Sequence, residues 1–502
     1  MDSPTTYILL IAFFGTALVA AMFMWPKFAT LSVVFLFYTN IPVLLKKSLG
    51  LHEYIAGSFI LLLLIPLSKY ILLNREKVII DGTFVLMLVY LATGLLSLLF
   101  AAKDLNTAFD WVISYLLEGI FLYLLIVNVI RTRKFLNQVL LVLLFSGSLL
   151  GGLSLYQDIT QSYTNTFFGL AQRKLEVQDN PNRSSLERVD VGTTDRASGS
   201  IGESNRYAQI MLVILPLALP LFLGAQSWYR KTLLVIFASL ILCGILLTFS
   251  RGAFLILILM LFLLVLFRIV KPRHLASAFG LLFLLIVFGA PGYLSRMESI
   301  KGVSSLFSED ATHEETDPVI LGRATEMLAA LNAYLDHPIL GVGPMQYLKH
   351  YSLQYQSDPD IALRTIDHNR RAHTLYFELA AEMGTLGFIA FMSIVLYNLF
   401  QLWQLRQLGR GTYPDITNLA TALMISMFAY LGTAIFLHLS YQRYYWFLIA
   451  LVSASIHIMR SDYAFYTQIG NTLKSKERSL VTSDKTEILL AHDGERYRNG
   501  NN

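Results

Sequence analysis

The sequence is poor in charge and nearly devoid of cysteine. Only 15% of its 502 residues are Asp, Glu, Lys or Arg, against about 25% in ordinary soluble domains, which excludes a single water-soluble globule. The lone cysteine, Cys243, excludes an intrachain disulfide, a CxxC pair and a cysteine metal site. It lies in an apolar run and reads as a small buried residue. Walker A, GxGxxG, HExxH and GxSxG spacings are all missing, so ATP-driven transport and the common hydrolase chemistries have no support. Met1–Thr6 carries no basic residue, and no cleavable secretion signal is expected.

What is abundant is apolar: 55% of the residues are hydrophobic, with a mean hydropathy of +0.56. A bilayer-spanning helix needs roughly 20 apolar residues. Such runs fall at Tyr7–Trp25, Phe28–Leu45, Tyr54–Leu73, Gly82–Ala101, Trp111–Ile130 and Phe135–Tyr156. They continue at Asn205–Gly224, Lys231–Thr248, Ala253–Ile269, Leu275–Gly292, Thr374–Trp403, Ile416–Leu437 and Tyr441–Met459. The expected fold is all-α, a polytopic integral membrane protein with about 12–14 transmembrane helices. Pro26 and Pro42 make the first two runs a candidate kinked or re-entrant pair.

Lys and Arg give the sidedness. The short loops after the odd-numbered runs hold fourteen basic residues, among them Arg75, Lys77, Arg131, Arg133 and Arg406, whereas the alternate loops hold five, Lys46, Lys47, Lys103, Arg251 and Arg443. Basic loops stay in the cytoplasm, so the polar segments 157–204 and 293–372 are expected on the opposite face. The chain then divides into transmembrane helices at 1–156, an outer loop at 157–204, helices at 205–292, a large outer loop between the tenth and eleventh spans at 293–372, helices at 373–459 and a disordered cytoplasmic tail at 460–502. The net charge of +5 belongs to the cytoplasmic loops and implies no nucleic-acid partner. Within the large loop, Met327, Leu328, Leu331, Tyr334 and Leu335 recur at helical spacing. They predict an amphipathic helix over Arg323–Asp336 that lies on the membrane surface or packs over the bundle.

Four polar features at the outer ends of the spans ask for chemistry. Arg196, Gly199, Gly202, Ser204 and Asn205 precede the seventh span. There a serine or asparagine can cap the helix and glycines let backbone amides approach an anion; the alternative is a glycine turn with a cap. Ser250-Arg251-Gly252-Ala253 is a very short turn between two long apolar runs, and its arginine must snorkel outward or meet an anion. Arg323 opens the amphipathic stretch, where a cation opposes the helix dipole unless an anion is shared. His373 stands at the mouth of the eleventh span as a base near neutral pH, the alternative being an interfacial histidine. On a continuous helix from His373, Gly384 and Gly387 share its face while Glu378 and Glu382 point away. Two loop clusters, His313-Glu314-Glu315 and Asp358, Asp360, Asp367 with His368, are weaker metal candidates that read as solvated loop charges, and no metal or other cofactor is expected.

In combination these residues resemble the O-antigen ligase and O-antigen polymerase (Wzy_C-type) superfamily of bacterial envelope glycosyltransferases. The matching pieces are Arg196, Gly199, Asn205 and Ala208, then Ser250-Arg251-Gly252-Ala253, then Gly322-Arg323 with His337-Pro-Ile-Leu-Gly-Val-Gly343, and His373-Thr with Gly384 and Gly387. They occur in the family's order across roughly residues 190–460. The resemblance implies a metal-independent, GT-C-like inverting glycosyltransferase in the bacterial inner membrane, with its site facing the periplasm and its C-terminus in the cytoplasm. Its donor would be a glycan on undecaprenyl diphosphate. Its acceptor would be a lipid A core sugar for a ligase, or a second lipid-linked glycan for a polymerase, with membrane lipids as surroundings. The resemblance also implies catalytic roles for His373, Arg251 and Arg323 and substrate-binding roles for Arg196, Asn205, Gly199 and Ser250. Thr374 departs from the Asn, Ser or Gln of the ligase pattern, and the paired R-x10-G motifs of polymerases are met once, by Arg188 and Gly199. A transporter of lipid-linked glycans is the reading from another class, and it lacks the charged residues at mid-membrane depth that such a path requires.

Overall fold

A computed structural model describes residues 24–50, 59–176, 194–273, 318–363, 368–439 and 442–469, with isolated positions 16, 21, 22, 57, 280 and 366. Its elements, in chain order, are α1 (Pro26–Thr39), α2 (Ile41–Leu49), the tightly wound segment Phe59–Leu73, α3 (Gly82–Ala101), α4 (Leu105–Val129) and α5 (Arg133–Thr160). There follow strands β1 (Gln172–Glu176) and β2 (Thr194–Gly199), then α6 (Ser204–Gly224), α7 (Trp228–Leu246), α8 (Arg251–Leu266) and α9 (Pro318–Asp336). The last three are α10 (Leu375–Gly409), α11 (Pro414–Thr433) and α12, residues 442–469. The protein is an all-α polytopic membrane protein. Among the described residues seven helices are long and apolar enough to cross a bilayer, or eight if the bent α1–α2 pair is one span. Phe59–Leu73 and α8 are shorter apolar helices, and the run Leu275–Gly292 lies outside the described residues apart from Gly280.

The bend between α1 and α2 is 65°, and it sits at Asn40, in the left-handed region at φ 61, rather than at a proline. Pro26 and Pro42 instead occupy the first turns of the two helices, where the missing N–H costs nothing. Asn40 is held there by donating to Ser200 O at 2.8 Å and accepting from Arg443 at 2.6 Å. Small residues set the closest helix packing: a Cβ on Gly151 of α5 would stand 2.1 Å from Leu240 O of α7, and one on Gly244 would meet the Cα of Gly151, the approach that drives association where lipid offers no hydrophobic gain. An aromatic group, Tyr90, Trp111, Tyr115, Phe391 and Trp446, ties α3, α4, α10 and α12 together with ring centroids 5.0–6.0 Å apart.

Three expectations change. The tail does not become disordered at Arg460: α12 runs on to residue 469, since no glycine or proline interrupts it, while Arg460 donates to Gln401 and Asp462 pairs with Arg133. Residues 470–502 lie outside the described residues. The first outer segment holds a two-stranded antiparallel ribbon, β1 with β2. The amphipathic helix is present but buries the other face. Thr325, Glu326, Ala329, Ala330 and Ala333 are inside, whereas Leu328 and Leu335 are exposed. Small side chains let the α9 backbone approach α10 closely, so the leucines are left facing outward.

The bundle has two unlike ends. At one, Arg131 pairs with Glu76 at 2.9 Å, and Arg133 donates to Asp415 O at 2.8 Å and lies 3.9 Å from Asp462. The other end lies the length of α10 away, about 50 Å at 1.5 Å per residue.

Candidate functional site

That second end is built from backbone that departs from regular helix. After α7 the chain reverses through Thr248, Phe249 and Ser250, with Phe249 at φ 49. Ser250 Oγ accepts the Ala253 amide at 3.4 Å, which caps α8 and leaves Arg251 as its first helical residue. Strand β2 runs beside this turn, its Ala197 amide donating to Leu247 O at 3.0 Å. Arg196 is thereby buried next to the turn, donating from Nε to Thr248 O at 2.7 Å and from Nη2 to Asn205 Oδ1 at 2.8 Å. The expected cap on α6 is corrected: Glu203 occupies the cap position without a side-chain bond, and Asn205 serves Arg196 instead.

These segments meet in a narrow cleft of about 30 Å³ lined by Arg196, Asn205, Ser250, Arg251 and Arg323, and closed by Thr433 at the end of α11 and by Phe436 and Leu437 after it. Gly252 permits the closure, since a Cβ there would stand 2.9 Å from the Phe436 ring. The structure therefore brings five of the seven singled-out residues to one place from three separated stretches of chain. Arg323 is not at a helix start, because α9 is already helical at Pro318; its opposition to the dipole is weak, as that field fades within the first turn. Arg251 does stand at a helix N-terminus. Gly199 lies outside the cleft lining: its φ of 55 and missing Cβ make room for the Tyr207 ring, 2.4 Å from where a Cβ would be.

His373 does not line this cleft but stands beside it. It precedes α10 with φ 49, and the Leu375 amide donates to Ala434 O at 2.9 Å, which ties the start of α10 to the turn after α11. The His373 ring packs perpendicular to His438, centroids 5.8 Å apart. Its Nδ1 lies 2.7 Å from Oε2 of Glu326, a carboxylate on α9 that is 2% exposed. Helical-wheel arithmetic from His373 through Gly384 does not apply, because the helix begins at Leu375 and breaks at Gly384.

Around this pair lies a buried charge network that sequence reasoning missed. Arg371 reaches Glu378 at 3.2 Å and His438 Nδ1 at 3.1 Å, and Glu378 also accepts the Ala372 amide at 3.1 Å. Arg206, fully buried, donates to Gln209 at 2.9 Å and to His438 O at 2.6 Å. Burial first, and then the charges of Arg371 and Arg206 and the neighbouring His373, hold His438 far below the ordinary imidazole range. It is neutral, with Nδ1 accepting from Arg371 and the proton on Nε2. Arg206 and Arg371 were visible as arginines flanking the quoted motifs. Glu326 carried a weaker signal: three positions after Arg323, it shares that residue's helix face.

The break at Gly384 explains the glycines of the loop before it. Gly384, at φ 61 and ψ −167, sits in a region open essentially to glycine alone. The stretch Pro338–Gly343 crosses α10 there: the Thr385 amide donates to Pro338 O at 2.8 Å, Val342 to Ala381 O at 2.8 Å and Gly343 to Glu382 O at 3.0 Å. Ser97 of α3 adds a bond to Leu340 O at 2.6 Å. Carbonyls freed by the break thus find partners, as buried backbone requires, and α9 with Arg323 and Glu326 is fixed against α10 with His373.

On the far side of the His373–His438 pair lies a chamber of about 800 Å³, lined by Lys46, Asp110, Trp111, Glu118, Arg371, Glu378, Glu382 and Arg443 together with apolar side chains. Segment 436–439 partitions the two cavities: Phe436 and Leu437 line the cleft and Leu439 lines the chamber. Among the described residues no group of His, Cys, Asp and Glu is arranged to hold a metal ion; His313, Glu314, Glu315 and Asp367 lie outside them.

Compared with known families, residues 234–392 match the model described as O-Antigen ligase, Wzy_C. This stretch is similar to the Wzy_C family. It contains Ser250, Arg251, Arg323, Glu326, His373 and the break at Gly384, while Arg196 and Asn205 reach the cleft from before it. The Wzy_C segment supports a membrane glycosyltransferase of ligase or polymerase type acting on lipid-linked glycans. No curated protein matches the chain.

Proposed function

We propose that the protein transfers a glycan from undecaprenyl diphosphate to an acceptor hydroxyl on the periplasmic face of the bacterial inner membrane, as an O-antigen ligase does with a lipid A core acceptor. The observation that carries this reading is the convergence of Arg196, Arg251 and Arg323 in one cleft beside His373. Guanidinium groups fork phosphate oxygens and stay charged, so the cleft suits a diphosphate. Arg251, a cation at a helix N-terminus, gains most from a bound anion. As the acceptor oxygen bonds to the anomeric carbon, the bond from that carbon to the diphosphate breaks, and the electron pair leaves on the diphosphate. Arg251 and Arg323 stabilise that growing charge. Arg196, already committed to Thr248 and Asn205, fixes the cleft wall and adds its charge.

His373 takes the acceptor's proton. Attack from the side opposite the leaving group inverts the anomeric centre; the donor diphosphate is assigned to the arginine cleft and the acceptor sugar to the 800 Å³ chamber. The acceptor is a lipid A core in the ligase reading or a second lipid-linked glycan in the polymerase reading. Sidedness rests on the basic loops, which collect at the opposite end of the bundle with the last described turn of α12. The test is a purified reaction with undecaprenyl-diphosphate-linked glycan and each acceptor in turn. One transfer to lipid A core supports the ligase; chain growth on the lipid-linked acceptor supports the polymerase; no transfer to either refutes the proposal.

A further inference from the structure

We infer that Glu326 is the positioning residue for His373, so that one helix, α9, presents both a cation for the leaving group and the carboxylate that aims the base. The inference rests on the reading of His373 as base. Glu326 Oε2 lies 2.7 Å from His373 Nδ1, and Oε1 lies 3.5 Å from Arg370. A carboxylate that is 2% exposed is costly unless paired, and the Arg370 guanidinium and the His373 ring are neighbours that offset that cost. The other groups facing His373 have other engagements: Arg371 and Glu378 hold each other, His438 is neutral and bound to Arg371, and Arg206 holds the His438 carbonyl.

Nδ1 makes its hydrogen bond to Arg371 O, 3.2 Å away, and lies 2.7 Å from Glu326 Oε2, a buried oxygen with no hydrogen bond of its own; with both of these neighbours acceptors, the proton of the neutral imidazole belongs on Nδ1 and Nε2 is left as the base. This is the orienting role a carboxylate plays for a histidine base generally. His373 itself sits at φ 49, outside the helix, and gains no fixed direction from helical geometry; the carboxylate supplies it. Arg323 and Glu326 lie one turn apart on α9, so the helix that offers Arg323 to the diphosphate also holds Glu326 beside the imidazole.

The test uses the purified full-length protein with undecaprenyl-diphosphate-linked glycan as donor and comparison of Glu326→Gln, Glu326→Asp, His373→Ala and the Glu326→Gln/His373→Ala double variant. Glu326→Gln is expected to lower kcat about 10²-fold, inside the roughly 10²–10⁴ that a general base contributes, with donor KM unchanged. Glu326→Asp should fall between Gln and the wild type. On the His373→Ala background Glu326→Gln should cost nothing more, because groups acting as a unit are non-additive. Wild-type kcat in Glu326→Gln, or the same factor lost with and without His373, would overturn the inference. Should Glu326→Gln not fold, Glu326→Asp carries the same comparison on both backgrounds. Full turnover in His373→Ala would instead refute the base assignment, and the inference with it.

Discussion

The two ends of α10 use arginine in opposite ways. At the Gly409 end, Arg131 and Arg133 are half-buried; Arg131 pairs with Glu76, and Arg133 donates to the Asp415 carbonyl and lies near Asp462, each from a neighbouring loop or helix end. Arg406 donates to Phe267 O at 3.0 Å and stacks on Phe267 and Trp403. These are anchors of a basic membrane face, and their partners are already in place. At the Leu375 end, Arg196 and Arg206 are buried and their hydrogen bonds organise turns, while Arg251 and Arg323 are brought from distant segments into one cleft. Composition alone does not separate the ends. Convergence from distant segments does.

Substitutions can break this comparison, and the largest effect is expected at the cleft. His373→Ala and Arg251→Ala in cells should abolish surface glycan and leave lipid-linked glycan accumulated on the periplasmic side, with turnover down about 10²-fold or more. Accumulation on the cytoplasmic side would favour transport, and unaltered surface glycan would favour a scaffold. Next comes Gly384→Ala. A Cβ there would stand 2.3 Å from Ile339 O, and the backbone conformation alone costs about 1–3 kcal/mol in a residue other than glycine. The yield of folded protein and its melting temperature should both drop, and an unchanged Tm would contradict the account of the crossing loop.

Arg206→Met should lower Tm less and leave donor KM intact while reducing kcat, because it releases the His438 carbonyl that backs the His373 ring. A raised donor KM would place Arg206 in the cleft instead. At the opposite end Arg133→Ala should change Tm by what a surface ion pair is worth, about 0–1 kcal/mol, and leave turnover at the wild-type level.

The Gly409 end also sets a pH limit on stability. Burial would raise the Asp81 carboxyl, but hydrogen bonds from His457, Ser453, Tyr123 and the Phe84 amide outweigh it and hold Asp81 at about 2, below its ordinary 3.8. A carboxylate held lower in the folded state stabilises it above the unfolded value, and that contribution is lost as pH falls through the folded one. Tm should therefore drop between about pH 4 and pH 2. Asp81→Asn should melt lower at neutral pH and lose that part of the slope.

Much of the bundle was legible because apolar length is a local property. Gly82–Ala101 is the same span in the sequence and in the structure, and among the described residues several others differ only at their ends. Arg196, Arg251, Arg323 and His373 were legible as chemistry out of place among apolar runs. The pairing was not. Glu326 under His373, Arg206 on the His438 carbonyl and the loop Pro338–Gly343 crossing the break at Gly384 are contacts between distant segments, and no periodicity encodes them. The buried face of α9 was misread for a related reason. Hydrophobic pattern predicts that the large leucines go inside, whereas close approach to α10 selected Ala329, Ala330 and Ala333.

The most direct test is turnover of undecaprenyl-diphosphate-linked glycan by purified protein, comparing Arg251→Ala and Arg323→Ala at one end with Arg133→Ala at the other. The account predicts that the cleft variants lose about 10²-fold or more while Arg133→Ala keeps wild-type turnover. Equal turnover in all three would contradict it.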